Sequence, residues 1–270
     1  MKIIARPKKY VVDFAKAQQL YNAYSPYKTN QDLREKLVDL FGLEFDSESS
    51  PRDIVNQILI NSYPNEAVIK AGFINDILIK SNNHVSIFEL SVGTSRADLC
   101  KINGESIAFE IKTDLDNIQR LDKQLYDYST VFERVYLICS ESKFEQLLVN
   151  IPVECGLYSY RKTSSGRYKF TKQKVAKYSP NLSARSQLPI FTKKELSYFF
   201  GVKGNLDRSE MHNIILNKFT KNQINASFKL CLKQKYNSEW GFLTENRTHI
   251  QDIDYQWFFK YNINPELVYK

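Results

Sequence analysis

Residues 85–112 read VSIFELSVGTSRADLCKINGESIAFEIK, a stretch rich in the β-branched and aromatic residues that strands favour. Two turn signals divide this stretch. The first is Gly93-Thr94-Ser95, and the second, Asn103-Gly104, is the dipeptide most typical of a two-residue β-hairpin. The sequence therefore predicts three successive strands, over residues 85–91, 96–102 and 106–112.

Apolar residues at helical spacing precede and follow these strands. Pro64 opens a predicted helix over residues 64–80, and a second helix is predicted over 117–130. Residues 134–139 (RVYLIC) are nearly all apolar, which is typical of a buried central strand. The resulting α-β-β-β-α-β order predicts an α/β fold in which helices pack against a mixed sheet.

The chain is predicted to contain three regions. A helical N-terminal extension covers residues 1–60, the α/β core covers 61–156, and a basic hairpin with a helical C-terminal region covers 157–270. The hairpin is expected to turn at Ser164-Ser165-Gly166. Outside the core, helices are predicted in pieces over 12–42 and then over 51–61, 192–202, 207–219, 222–236 and 251–261.

Composition narrows the class of protein. No segment reaches the ~18 consecutive apolar residues of a membrane span, and the N-terminal residues lack the apolar run of a signal peptide. We therefore expect a cytoplasmic protein with no membrane partner. The four cysteines show no CxxC spacing, so we interpret them as reduced thiols and expect no zinc site.

Two charged residues, Glu110 and Lys112, interrupt the apolar pattern of the third predicted strand. Because side chains alternate along a strand, Glu110 and Lys112 are expected on one face, whereas Phe109 and Ile111 supply the core. The Asn103-Gly104 hairpin would bring Asp98 of the second strand beside Glu110. We predict that Asp98, Glu110 and Lys112 converge in one site. Glu89 is expected to pair with Arg96 across the first turn, a structural role.

Two carboxylates and an ammonium group suit phosphodiester chemistry with a hard cation. Mg²⁺, or Mn²⁺ in its place, prefers carboxylate, water and phosphate oxygens as ligands. Such an ion activates water and stabilises charge on a phosphate. An Asp followed some ten residues later by Glu-x-Lys also occurs by chance, so spacing alone leaves a purely structural alternative open.

The wider pattern resembles the PD-(D/E)XK nuclease superfamily, whose members have a restriction-endonuclease-like fold. The matching residues follow R-x-D…E-I-K…D-x₃-R-L-x₂-Q-x₃-Y, a pattern similar to that of a bacterial and phage group of small nuclease-like proteins. The resemblance covers about residues 60–140 and implies an α-β-β-β-α-β core. The Pro of the superfamily's Pro-Asp dipeptide is replaced by Ala97. The residues that carry the pattern are Arg96, Asp98, Glu110, Ile111, Lys112, Asp116, Arg120, Leu121, Gln124 and Tyr128.

The resemblance also implies roles for single residues. Asp98 and Glu110 would bind metal, with Glu66 of the preceding helix adding a contact. Lys112 would be the catalytic lysine, supported by Gln124. Tyr128 is expected to pack against the sheet, and Asp116 to cap the following helix.

Positive charge is concentrated in the C-terminal part of the chain. Residues 1–156 hold 18 basic and 22 acidic residues, whereas residues 157–270 hold 20 basic and 8 acidic residues. Between Glu154 and Glu195 no residue is acidic. A stretch of one sign with interleaved aromatic residues suits nucleic acid, although a solvated basic hairpin is the alternative. The predicted nucleic-acid-binding residues are Arg120, Arg161, Lys162, Arg167, Lys169, Lys172 and Lys174.

These observations favour a Mg²⁺-dependent (or Mn²⁺-dependent) nuclease acting on DNA, most simply an endonuclease. Two alternatives stay open: a non-catalytic nucleic-acid-binding protein with the same fold, and an RNA-directed nuclease such as a toxin or defence effector. Cleavage of both strands of a duplex would suggest a homodimer, but no sequence feature demonstrates one.

Overall fold

The computed structural model describes residues 10–42 and 49–269. These residues form an α/β fold with one mixed six-stranded sheet, so the predicted α/β class is confirmed. The chain forms two compact units. Among the described residues, the first comprises 10–42, 49–76, 161–169 and 242–269, and the second comprises 77–160 and 170–241. The division of the chain into regions 1–60, 61–156 and 157–270 stays a prediction.

The first unit has a helical core. Helices α1 (Phe14–Ala23), α2 (Asn30–Phe41) and α3 (Pro51–Ser62) bury their apolar faces against one another. Asp13 and Thr29 cap α1 and α2 through side-chain oxygens, which satisfies backbone amides that the helices leave unpaired. Helices α4 (Glu66–Phe73), α11 (Tyr255–Tyr261) and α12 (Pro265–Val268) also belong to this unit.

The sheet follows chain order from its first to its sixth strand. The first three strands are antiparallel, as the two turn signals predict, whereas β4 pairs in parallel with both β3 and β5. The strands are β1 (Val85–Val92), β2 (Ser95–Asn103), β3 (Glu105–Lys112), β4 (Arg134–Ser140), β5 (Gly156–Lys162) and β6 (Tyr168–Lys174).

Helix α5 (Leu121–Ser129) packs against the strands that carry the candidate site residues. It contacts β2, β3 and β4 through a buried face formed by Leu121, Leu125 and Tyr128. The remaining helices between β4 and residue 246 are α6 (Phe144–Leu148), α7 (Ala184–Gln187), α8 (Lys193–Phe200), α9 (Arg208–Lys218) and α10 (Lys221–Asn246).

Three helix predictions need correction. The helix predicted over 222–236 continues to Asn246, because Trp240 and Leu243 extend its buried face. The helix predicted over 64–80 ends as α4 at Phe73 and continues as a π-helical turn, Ile74–Leu78.

The helix predicted over 117–130 begins only at Leu121. Asp116 does not cap it. Instead, the Asp116 carboxylate accepts hydrogen bonds from the backbone amide and the hydroxyl of Thr113, both at 2.7 Å, and closes a turn just beyond β3.

Two composition-based predictions can be compared with the described residues. All four cysteines are free and buried. Over the described part of the chain, no helix has the length and apolar character needed to cross a bilayer.

Candidate active site

Asp98 lies in the middle strand of the antiparallel part of the sheet, with only 8% of the residue exposed. In the register of β2 and β3, Leu99 pairs with Phe109, so the next step brings Asp98 towards Glu110. The Asp98 Oδ2 atom accepts a hydrogen bond of 2.6 Å from the backbone amide of Ile111. This bond fixes the Asp98 carboxylate against β3, at the level of the Glu-x-Lys sequence.

Lys112 links β3 to α5. Its ammonium group lies 2.7 Å from Glu110 Oε1 and donates to Gln124 Oε1 at 3.0 Å. Glu110 is 1% exposed and Lys112 8%, so this ion pair is almost completely removed from water. A buried carboxylate needs such compensation, because desolvation of an isolated charge is costly. The structure thus brings together the four residues predicted to be catalytic; their catalytic roles stay predictions.

Tyr128 contributes to this cluster through its hydroxyl group, which the sequence-based packing role did not include. The hydroxyl lies 2.8 Å from Glu110 Oε2 and 2.7 Å from the carbonyl oxygen of Arg96. Its single proton is shared between these two acceptors. Burial, followed by the negative charge of Glu110, raises the pKa of Tyr128, so the phenol stays protonated. The i, i+4 spacing of Gln124 and Tyr128 on one helix face was the signal that could have revealed this contact.

Glu89 of β1 is the second residue whose place in the cluster the sequence did not predict. Its carboxylate oxygen lies within 4.8 Å of that of Asp98. Its backbone is left-handed, with φ of 55°, although the residue is neither glycine nor in a turn. Such a conformation costs energy for a residue with a Cβ atom. The predicted ion pair between Glu89 and Arg96 is confirmed.

The donor set of this cluster fits a hard divalent cation. Asp98 and Glu89 present carboxylate oxygens within 4.8 Å of each other on neighbouring strands. Both carboxylate oxygens of Glu110 on the next strand accept hydrogen bonds, one from Lys112 and one from Tyr128. Oxygen donors of this kind suit Mg²⁺ or Mn²⁺.

Comparison with known proteins shows that this site lies in the part of the chain that matches a protein family. The family model described as "Bacteriophage P4 protein cII" matches residues 60–256, which is most of the chain. The chain belongs to the bacteriophage P4 protein cII family. The match includes all the strands of the sheet and every residue of the cluster around Glu110.

The chain is also similar to a single curated protein of the P4 cII family. Protein cII of Enterobacteria phage P4 is 25% identical to this chain over 178 residues. The alignment covers 64% of this chain and 65% of the phage protein. No solved structure matches. The family description names no reaction.

Glu66 and Arg120 were also predicted to belong to the site, and each has its own local contacts. Glu66 is the first residue of α4, in the first compact unit, where it forms an ion pair with Lys70. Its predicted metal contact stays a prediction. Arg120 is exposed and occupies the N-cap position of α5 without a capping side-chain hydrogen bond.

Several of the predicted nucleic-acid-binding lysines in this P4 cII family member have partners within the chain. Lys162 donates to the carbonyl oxygen of Ile60 at 3.1 Å, and Lys169 lies 3.0 Å from Asp76. Lys172 lies over the rings of Tyr136 and Tyr158, at 5.7 and 5.5 Å. Lys174 donates to the carbonyl oxygen of Pro152 at 3.2 Å, whereas Arg161 and Arg167 are exposed along the same hairpin. Their binding of nucleic acid stays a prediction.

Proposed function

We propose that this P4 cII family member is a Mg²⁺-dependent (or Mn²⁺-dependent) nuclease that hydrolyses phosphodiester bonds, with DNA as its substrate. The observation that carries the proposal is the convergence of Asp98, Glu110, Lys112 and Gln124 around one buried ion pair. A structural ion pair needs one acid and one base. The Asp98 carboxylate lies beside this pair as a further negative charge, which argues for a site that also takes up a cation.

The order of elements supports the same proposal. The succession α4, β1, β2, β3, α5 and β4 has the α-β-β-β-α-β order that the resemblance to the PD-(D/E)XK superfamily implies. The acidic residue on β2 and the Glu-x-Lys sequence on β3 occupy the strands on which that resemblance expects them. We therefore propose a restriction-endonuclease-like core within the α/β fold.

Each residue of the cluster has a distinct part in the proposed reaction. Asp98 and Glu110 would hold the metal ion, which supplies an activated water and stabilises charge on the phosphate. The ammonium group of Lys112 orients the attacking water or a phosphate oxygen. The oxygen of Gln124 holds that ammonium group in place, and the hydroxyl of Tyr128 fixes the Glu110 carboxylate.

The direct test is a cleavage assay. The substrates are linear and circular DNA, single- and double-stranded, and RNA of the same sequence, each with Mg²⁺, with Mn²⁺ and with EDTA. We expect metal-dependent cleavage of DNA that is lost in Asp98→Asn, because the amide neither bears the charge nor binds a hard cation as strongly. Asp122→Asn is the matched control, since Asp122 is exposed on α5.

Other outcomes of this assay distinguish the alternatives. Cleavage of RNA but not DNA would overturn the proposed substrate and favour the RNA-directed nuclease. Binding of DNA without cleavage under any metal condition would favour the non-catalytic binding protein. Equal cleavage by wild type and Asp98→Asn would show that the reaction, if any, uses another site.

A further inference from the structure

A large cavity opens beside the proposed active site, within the second compact unit. Its volume is about 650 Å³, which is in the range of small-molecule sites in proteins. Residues of β1, α5, α7, the turn after α7, and α10 line it. They include Glu89 and Leu90 of β1, Tyr126 of α5, and Leu232, Lys235 and Tyr236 of α10.

The cavity, called the β1 pit below, has an apolar floor and a polar rim. Leu90, Val92, Val131 and Leu232 are buried and form the floor. The rim is exposed and includes the hydroxyl-bearing residue Ser91 and the ring of Tyr126. A flat apolar group with polar edges could therefore enter from solvent and exchange water contacts for contacts with the floor.

One residue connects the β1 pit to the proposed catalytic cluster. Glu89 lines the pit, and its carboxylate oxygen also lies within 4.8 Å of that of Asp98. Glu89 therefore belongs both to the lining of the pit and to the surroundings of Asp98. A nucleotide next to the scissile phosphate would be at the right place to reach the pit.

The charges of the lining argue against a phosphate as the occupant. Lys235 is the cation among the lining residues, and its ammonium group is already 3.1 Å from Glu195. Asp127 is paired with Lys123 at 2.7 Å, and Glu89 with Arg96. Because the charged groups of the lining all have protein partners, a neutral ligand suits the pit better than an anion.

An aromatic side chain in the lining favours a planar ligand. Tyr236 of α10 belongs to the lining, and the ammonium group of Lys235 lies 5.9 Å from the centre of its ring. Tyrosine rings stack on nucleobases irrespective of base identity, whereas bases within a duplex are already stacked and paired.

From these observations we infer that the β1 pit binds the nucleobase of one unpaired nucleotide adjacent to the bond that is cut. The inference rests on the proposed function for the choice of nucleic acid as ligand. It assigns the enzyme a substrate class: single-stranded DNA, or duplex DNA with an extruded or unpaired base at the cleavage position.

The test measures binding without cleavage. A fluorescein-labelled single-stranded DNA of about 20 nucleotides, long enough for one binding site, and the same sequence as a duplex are titrated with wild type in Ca²⁺, and Kd is read by polarisation. We expect wild type to bind the single strand more tightly. Tyr236→Ala should weaken single-strand binding about tenfold, near the lower end of the effect of removing one base–aromatic stack, and leave duplex binding within about twofold. Tyr198→Ala, whose residue is 75% exposed on α8 outside the pit, is the matched control and should change neither value.

A second variant tests whether the effect of Tyr236→Ala on binding arises only from a change in folding. Leu232→Trp fills the floor of the pit from α10 and should produce the same selective loss, with circular dichroism used to verify folding. Unchanged single-strand binding in folded Tyr236→Ala, or equal losses on single strand and duplex, would overturn the inference. These binding results do not depend on cleavage. Metal-dependent cleavage with no effect of Tyr236→Ala on binding would contradict base binding in the β1 pit but not the proposed nuclease activity. Tyr236-dependent binding without cleavage by wild type would contradict the nuclease activity but not base binding in the pit.

Discussion

The hydroxyl group of Tyr128 serves two acceptors on neighbouring strands. One is the Oε2 atom of the buried Glu110 carboxylate, and the other is the Arg96 carbonyl oxygen on β2. A buried acceptor that loses its donor costs more free energy than a typical hydrogen bond contributes. The site is therefore sensitive to the removal of this one oxygen atom.

Tyr128→Phe should lower the free energy of unfolding by about 1–3 kcal/mol, because the ring still fills its space while both acceptors lose a donor. Urea unfolding followed by circular dichroism measures the change. Tyr126→Phe is the control, since Tyr126 is 61% exposed on the same helix and should change stability by less than about 0.5 kcal/mol. Equal stability of wild type and Tyr128→Phe would contradict the role given to this hydroxyl.

Single residues of the cluster differ in how far the sequence predicted them. Strand alternation and the Asn103-Gly104 turn were sufficient to place Asp98, Glu110 and Lys112 together. Tyr128 was assigned to packing, because an aromatic residue at helical spacing gives no information about its hydroxyl. The proximity of Glu89 to Asp98 depends on the register of β1 against β2, which a turn sequence such as Gly93-Thr94-Ser95 does not fix as closely.

At the scale of single elements, β1 has an irregular backbone at the point where it meets the site. Pairing with β2 is continuous from Val85 to Phe88 and again from Leu90 to Val92, and the left-handed Glu89 lies between. Non-glycine residues in this region store strain, which is frequent at functional sites. We interpret the irregularity as the cost of directing the Glu89 carboxylate towards Asp98.

Two variants at Glu89 separate backbone strain from side-chain contacts. Both Glu89→Gly and Glu89→Ala remove the carboxylate and its ion pair with Arg96, but only glycine adopts φ of 55° without steric cost. Glu89→Gly should therefore be more stable than Glu89→Ala by about 1–2 kcal/mol, the reverse of the usual order in a strand. Thermal or urea unfolding measures the difference. A more stable alanine variant would mean that the strand relaxes and stores no strain here.

Elements were predicted most accurately where local signals were strong. The strands from β1 to β4 agree closely with their predicted ranges, since turn residues and apolar runs delimit them. Helix limits depended on contacts that are distant in sequence. The extension of α10 to Asn246 follows from the burial of Trp240 and Leu243, and the late start of α5 follows from the turn that Asp116 makes with Thr113.

At the scale of the whole molecule, the uneven charge distribution is the feature most relevant to a polyanionic substrate. The 20 basic against 8 acidic residues of 157–270 favour binding of nucleic acid through its phosphates. Intramolecular contacts of Lys169, Lys172 and Lys174 lower the number of donors that these side chains can offer to phosphates. Lys172 still carries its positive charge in its cation–π contact with Tyr158.

The triple substitution Lys169→Glu, Lys172→Glu and Lys174→Glu should weaken DNA binding and reduce its salt dependence. Removing one lysine–phosphate ion pair lowers the slope of log K against log salt by about 0.9 for duplex DNA. A salt titration of binding measures both quantities. Lys203→Glu, Lys218→Glu and Lys221→Glu together make the same change in net charge outside the hairpin and should have the smaller effect. Equal effects of the two triple variants would show that net charge, and not the hairpin, determines binding.

Lys112 and the carboxylates around it are proposed to form the catalytic site of a metal-dependent nuclease. Single-turnover cleavage of DNA in saturating Mg²⁺, with enzyme in excess, separates the chemical step from binding. Lys112→Ala should reduce the rate constant at least about a hundredfold, as for loss of a group that acts in the transition state. Lys218→Ala, which changes an exposed lysine of α9, should leave it unchanged. Normal cleavage by folded Lys112→Ala would contradict the assignment of the site.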